Sequence, residues 1–186
     1  VYLFSHGRSH RAHLDSELIR FGSEFYLLTL KFSDSERDYT AQIKYSKNKK
    51  KQIKINNVPI NKLSMLMSYL NAVMFSPEDL NIVKGSPNIR RRFIDSAISQ
   101  LYPSYLATLM EYNKVLNQKN SLLRSAKMSG KNVRDTLWIW NEQLASLAVR
   151  IMVARQEFTD KIASGAEAVG KDISGEKLGI KYIPNI

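Results

Sequence analysis

There is no cysteine among the 186 residues, which removes disulfides, thiolate zinc sites and a cysteine nucleophile together. Acids are scarce beside bases: 17 Asp and Glu against 28 Lys and Arg, a formal net charge of +11. That imbalance argues for nucleic acid or another polyanion, because counterion release favours such contacts; a merely solvated basic surface is the plain alternative. No apolar run approaches the ~20 residues of a membrane span, and no signal-peptide pattern opens the chain. A cytoplasmic protein without a membrane partner is expected. His6, His10 and His13 share one segment, but arginines interleave them and the nearest acid is Asp15, so no metal site is read there. No serine–histidine–acid set and no carboxylate pair suited to glycoside cleavage stands out, and no catalytic residue is expected.

At 44% hydrophobic and 24% charged, the chain has the composition of a folded protein, long enough for one domain or two small lobes. Residues 1–60 read as mostly extended. Phe25–Phe32, Asp38–Tyr45 and Lys51–Ile55 are rich in β-branched and aromatic residues, with turn residues at Ser33–Glu36 and Ser46–Lys49; together they predict an antiparallel meander. Short helices are expected over Leu14–Phe21 and 62–72. From Pro87 the period becomes helical. Leu101, Tyr105, Leu109, Tyr112, Leu116 and Leu123 form one stripe, Trp140, Leu144, Leu147, Ile151, Phe158 and Ile162 a second, and Met128–Asn132 breaks the pattern between them. Two helices of about 35–40 Å in an antiparallel hairpin follow. The fold class is α+β: a mostly β lobe over 1–60, connecting helices over 61–101, a helical hairpin arm over 102–170 and a return strand over 171–186. The opening Val1 reads like the middle of an element, so the sequence is taken as a piece of a longer polypeptide.

The densest information lies in Phe75–Asp95. Ser76-Pro77-Glu78-Asp79 is a helix start, with an N-cap serine, proline at the first position and acids in the first turn. Ser86-Pro87 repeats the start, but Arg90, Arg91 and Arg92 follow, the wrong sign for the positive end of a helix dipole. On the wheel Arg90 falls within the apolar arc of Ile89, Phe93, Ile94, Ala97, Ile98 and Leu101, Arg91 is placed to pair with Asp95, and Arg92 faces outward. Arg90 is therefore expected beneath the helix, bonded to a carboxylate, to carbonyls or to an anionic ligand, tying the Ser76–Asp79 segment to the helical lobe.

Lys44, Lys47, Lys49, Lys50, Lys51 and Lys54 crowd a β-turn and the strand after it. They form either a phosphate-tracking finger or a charged edge that resists aggregation. Arg8 and Arg11 in Gly7-Arg-Ser-His-Arg11 are further candidates for phosphate contact. Gly165-Ala-Glu-Ala-Val-Gly-Lys-Asp172 nearly spells a phosphate-binding loop, but Asp172 stands where a hydroxyl should hold Mg²⁺ and a helix precedes it where a strand is required. It is read as the end of a long helix.

Taken together, Phe75-Ser-Pro-Glu-Asp-Leu80, Lys84-Gly-Ser-Pro87, Arg90-Arg91, Phe93, Asp95, Pro103, Tyr105, Tyr112, Leu116, Asn120, Leu123, Trp140-Asn-Glu-Gln-Leu144 and Gly7-Arg-Ser-His-Arg11 resemble the RecF family of bacterial DNA replication and repair ATPases, which are ABC-type and SMC-like. Lys119 stands where an arginine is more usual. The resemblance implies an ATPase head with a short helical arm, ATP and Mg²⁺ in the whole protein, and an ATP-dependent homodimer. It further implies binding to duplex or gapped DNA, and other recombination-mediator proteins as partners. It places the phosphate-binding loop before Val1, and the signature and Walker B segments after Ile186, so this stretch alone is expected to bind no cofactor and to hydrolyse no ATP. Arg11 corresponds to a loop arginine associated with DNA and nucleotide response. Ser76, Glu78 and Asp79 fall where SMC-type heads carry their Q-loop, although no glutamine stands there. Arg8, Arg11, Lys47, Lys49, Lys50 and Lys51 are the DNA-binding candidates; Arg90, Arg91 and Asp95 are structural or nucleotide-coupled. A non-catalytic basic module that binds protein partners or RNA is the competing reading.

Overall fold

Alternating burial along Asp38–Ser46 organises the first half of the chain: Tyr39, Ala41 and Ile43 are buried on one face while their neighbours are not. The computed structural model describes residues 1–61, 65–66, 69–130 and 132–184. The described residues fall into two compact units, Val1–Ile89 and Arg90–Ile186.

In the first unit, β1 (Phe25–Ser33), β2 (Asp38–Ser46), β3 (Gln52–Ile55) and β4 (Val58–Ile60) form an antiparallel sheet in sequential order. The register pairs Ala41 with both Leu30 and Ile55, and Ile43 with Ile53, which stacks apolar side chains across the strands. The β1–β2 turn is closed by Asp34, whose Oδ1 accepts the Glu36 and Arg37 amides at 2.8 and 2.9 Å while Oδ2 accepts the Tyr39 hydroxyl at 2.9 Å. These bonds hold the Asp34 carboxyl below the usual carboxylate range.

Three expected strands are present within a residue or two of their expected limits, and β4 is an addition. Its sequence, Val-Pro-Ile, is short and contains proline, which suits an edge strand alone. The signal for it is Asn56-Asn57. Both residues have positive φ, 47° and 66°, the backbone of a two-residue hairpin turn that Asn tolerates. Asn56 Oδ1 also accepts the Thr40 amide at 2.7 Å.

Residues 1–60 are not all extended. Tyr2–His6 is a helix, α1, which buries Leu3 and Phe4 and stops at Gly7, whose φ is 69° and whose amide donates to the Leu3 carbonyl at 2.9 Å. Asp15–Leu18 is a 3-10 turn within the expected Leu14–Phe21 helix. Of the helix expected over 62–72, residues 62–64 and 67–68 lie outside the described residues; 65–66 are helical and 69–72 are not. Pro77–Leu80 is a 3-10 turn that runs into a short helix, α2 (Asn81–Lys84).

α3 (Pro87–Leu101) leads into the second unit, where α4 (Pro103–Ser129) and α5 (Arg134–Ser174) form the helical hairpin. Proline stands at the first position of α4, and Gly130 ends it in the left-handed region. The core has two patches: Ile98, Tyr105 and Ile151, then Val115 with Leu144 and Leu147. Lys119 Nζ donates to Asn141 Oδ1 across the hairpin at 2.7 Å. α5 has 41 residues, about 60 Å at 1.5 Å per residue, well beyond the 35–40 Å expected. It runs through Gly165 and Gly170, so the near-match to a phosphate-binding loop is helix. The expected return strand over 171–186 is corrected too. Residues 171–174 are the end of α5 and no strand pairing is present over 175–184, since an extended segment becomes a strand only through a ladder partner. Leu178 instead lies where a Cβ on Gly170 would meet it at 3.0 Å. Among the described residues no helix is long and apolar enough to cross a membrane.

Candidate nucleic-acid interface

The loop after α1 presents its arginines to solvent. Ser9 Oγ accepts the amides of Arg11 and Ala12 at 3.2 and 3.0 Å, a side-chain turn that curls the loop. Arg8 and Arg11 are exposed. On the β2–β3 turn Lys47, Lys49 and Lys50 are exposed as well, around Asn48 with φ 61°.

Lys51 behaves differently from its neighbours. Its Nζ lies 2.8 Å from Asp15 Oδ1 and donates to the Gly7 carbonyl at 3.0 Å, with its side chain only 17% exposed. The Tyr26 hydroxyl reaches the same Asp15 at 3.4 Å, and burial together with the Asp15 charge pushes that phenol above its usual range. Lys51 was expected to touch DNA, and its ammonium is spent inside the fold. It is nevertheless informative, because the bond to Gly7 sets the arginine loop beside the lysine turn. Five exposed cations, Arg8, Arg11, Lys47, Lys49 and Lys50, thus flank one strut.

The same loop meets the Ser76–Asp79 turn. Ser76 is buried and carries a capping box: its amide donates to Asp79 Oδ2 at 2.7 Å, and its hydroxyl lies 3.2 Å from the same oxygen. His10 Nε2 is 2.9 Å from Ser76 Oγ and 3.7 Å from Glu78 Oε2. The imidazole meets the edge of Tyr2 at 5.4 Å, and Tyr2 stacks on His6 at 3.8 Å. Glu78 is about half exposed. Its own backbone amide and the Ser76 hydroxyl, with the Arg11 charge and His10, hold its carboxyl below the usual range.

The arginine run of α3 needs correction. Arg90 is exposed, as is Arg92, and Arg91 is half-buried. The apolar arc that should have covered Arg90 is not all core: Phe93 is 47% exposed, and packing begins at Ile94 and Ile98. The buried guanidinium is Arg155. Its Nε and Nη2 donate to the two oxygens of Asp95 at 2.8 and 2.9 Å, the Tyr105 hydroxyl donates to Asp95 Oδ1 at 2.5 Å, and both charged side chains are at most 15% exposed. Burial opposes the Arg155 charge, but the hydrogen bonds and charge of Asp95, with Tyr182, outweigh it and raise its affinity for the proton. The signal was present in the sequence, since Arg155 lies four residues after Ile151 and three before Phe158, on the apolar stripe. His10 was weighed there as a metal ligand alone; its partner Ser76 is 66 residues away, and no local pattern reveals it.

Among the described residues no group of three His, Cys, Asp or Glu could hold a metal ion. No family model matches the chain. It is 44% identical over 185 residues to the DNA replication and repair protein RecF of Ruminiclostridium cellulolyticum, covering 98% of this chain and 50% of that protein. It is 40% identical over 188 residues to the RecF of Acetivibrio thermocellus, covering 100% and 51%. Solved structures agree. The recombination mediator protein RecF-ATP in the RecFOR pathway matches with a TM-score of 0.88 at 32% identity, over 98% of this chain and 51% of that one. The corresponding RecF-ATPrS structure matches with 0.86 at 34%, over 94% and 47%. The chain spans about half the length of the curated relatives it matches. From end to end, in sequence and in backbone, the chain is similar to about half of the DNA replication and repair proteins named RecF.

Proposed function

We propose that this chain is part of an ATP-dependent, DNA-binding recombination mediator that acts at single-strand gaps in the cytoplasm, with other mediator proteins as partners and an ATP-dependent homodimer as the working form. The observation that carries the reading is the whole-chain match to RecF, including a TM-score of 0.88 to its ATP complex. The local geometry supports the DNA half of it. Five exposed cations flank the Lys51 strut, and exposed guanidinium and ammonium groups are the donors that track a phosphate backbone.

The nucleotide half fits this chain only in part. Ser76 and Asp79 satisfy each other and His10, so neither is open to a phosphate. Glu78 would repel phosphate oxygens unless a cation lay between them. Arg11 is the better phosphate donor, being exposed and already exerting its charge on Glu78. ATP with Mg²⁺, bound in the whole protein, would supply the chemistry of phosphoryl transfer to water. Here the Ser76–Asp79 turn is a boundary of such a site rather than its cradle.

The test uses the full-length protein with gapped and uniform duplex DNA, titrated with and without ATP. Tighter binding to gapped DNA in the presence of ATP is expected. Affinity that ignores both the gap and ATP would contradict the reading and favour a generic basic module.

A further inference from the structure

The arginine loop and the Ser76–Asp79 turn come from opposite ends of the first unit and meet through one side chain. His10 precedes Arg11 in the chain, shares a hydrogen bond with Ser76 Oγ at 2.9 Å and lies 3.7 Å from Glu78. Its ring is braced against Tyr2, which is itself stacked on His6. Ser76 in turn governs the cap through its amide and hydroxyl contacts with Asp79. A movement of Arg11 toward a phosphate therefore displaces His10 or strains its bond to the cap. Arg11 also bears on Glu78 through its charge, so an anion that takes up the guanidinium changes what Glu78 faces.

We propose that His10 is a positioning residue that couples the arginine loop to the Ser76–Asp79 turn, so that DNA phosphate held by Arg8 and Arg11 is felt at Ser76 and Glu78. The coupling is reciprocal: whatever binds beside Glu78 changes the affinity of the loop for DNA by the same factor. The proposal rests on the DNA reading of the loop, and its test separates the two. Imidazole suits the task because a single ring nitrogen hydrogen-bonds the hydroxyl while the ring itself packs on an aromatic neighbour. Leucine keeps the bulk and loses the hydrogen bond, and glutamine keeps a hydrogen-bonding group on a flexible stem.

The experiment is amide hydrogen exchange at Ser76 and Asp79 in the 186-residue chain, free and saturated with a 20-base-pair duplex, with affinity measured in parallel. In the unaltered protein DNA is expected to slow exchange at both amides about fivefold or more, the lower end of typical coupling between sites. His10→Leu should abolish that response while still binding DNA through Arg8 and Arg11, and His10→Gln should restore part of it. If His10→Leu binds DNA and shows the same slowing as the unaltered chain, the coupling role is wrong and the DNA reading stands. If the unaltered chain binds no DNA at all, both fall.

Discussion

Replacing Arg155 with alanine is expected to destabilise the helical unit by about 3–5 kcal/mol, the cost of stranding one partner of a buried ion pair. Arg155 holds both oxygens of Asp95, and Tyr105 donates to one of them, with the charged side chains 13% and 15% exposed. Without the guanidinium the carboxylate loses both hydrogen bonds from Arg155 and keeps the one from Tyr105. Tyr105→Phe removes one hydrogen bond to a charged group and should cost less, about 1.5–3 kcal/mol. Arg92→Ala, at an exposed position, should stay within about 0.5 kcal/mol. Joint replacement of Arg155 by Met and Asp95 by Leu should recover much of the loss, because an apolar pair of similar volume is often no worse than the ions. Denaturant unfolding followed by circular dichroism checks all of these. A small loss in Arg155→Ala, no greater than that in Arg92→Ala, would contradict the assignment.

Gly85→Ala is the second large effect, and its cause is the backbone. The Gly85 amide donates to the Asn81 carbonyl at 2.7 Å and so closes α2. A Cβ on Gly85 would stand 2.6 Å from that same carbonyl oxygen and 2.5 Å from Ile89 Cδ1. The Ile89 side chain can rotate away. The carbonyl cannot move without giving up the bond that ends the helix. A loss of about 1–3 kcal/mol is expected, as for other forced close contacts. Gly165→Ala is the opposite case. Gly165 lies inside α5 with nothing within 4 Å of its would-be Cβ, so alanine should stabilise by about 0.4–1 kcal/mol through helix propensity and unfolded-chain entropy. Melting temperatures that move the same way in both variants would contradict this account of Gly85.

Much of the fold was legible because its signals are local. Period-two alternation in Asp38–Tyr45 and the 3–4 spacing from Leu101 onward each report a face that must be buried, and the sheet and the hairpin follow. β4 escaped because three residues with a central proline carry no periodicity, although the Asn56-Asn57 turn announced it. The length of α5 escaped because glycine was read as a stop, whereas Gly165 and Gly170 cost the helix only about 1 kcal/mol each. The exposure of Arg8, Arg11, Lys47, Lys49 and Lys50 was legible, because a solvated cation needs no partner. Side chains whose partner is distant in the chain were not legible. Lys51 looks like every other lysine of its run until Asp15 and the Gly7 carbonyl claim it, and Arg90 looked buried because a wheel cannot tell which part of an apolar arc meets another helix.

Fluorescence anisotropy of a labelled duplex over a range of salt, with the 186-residue chain unaltered and with Arg8, Arg11, Lys47, Lys49 and Lys50 replaced by glutamine, tests most directly whether these cations form a DNA surface. Each phosphate contact contributes about −0.9 to the slope of log affinity against log salt, so the five-fold variant should bind more weakly and with a slope shallower by about 3–4 if most of them engage. Lys51 is left in place because its replacement would loosen the loop itself. A control that removes the same charge elsewhere, at the exposed Lys114, Arg124, Lys127, Arg134 and Lys171, should change the slope far less. An unchanged slope in the first variant, or equal loss in both, would show that the +11 charge acts diffusely and that the loop and turn are not a DNA interface.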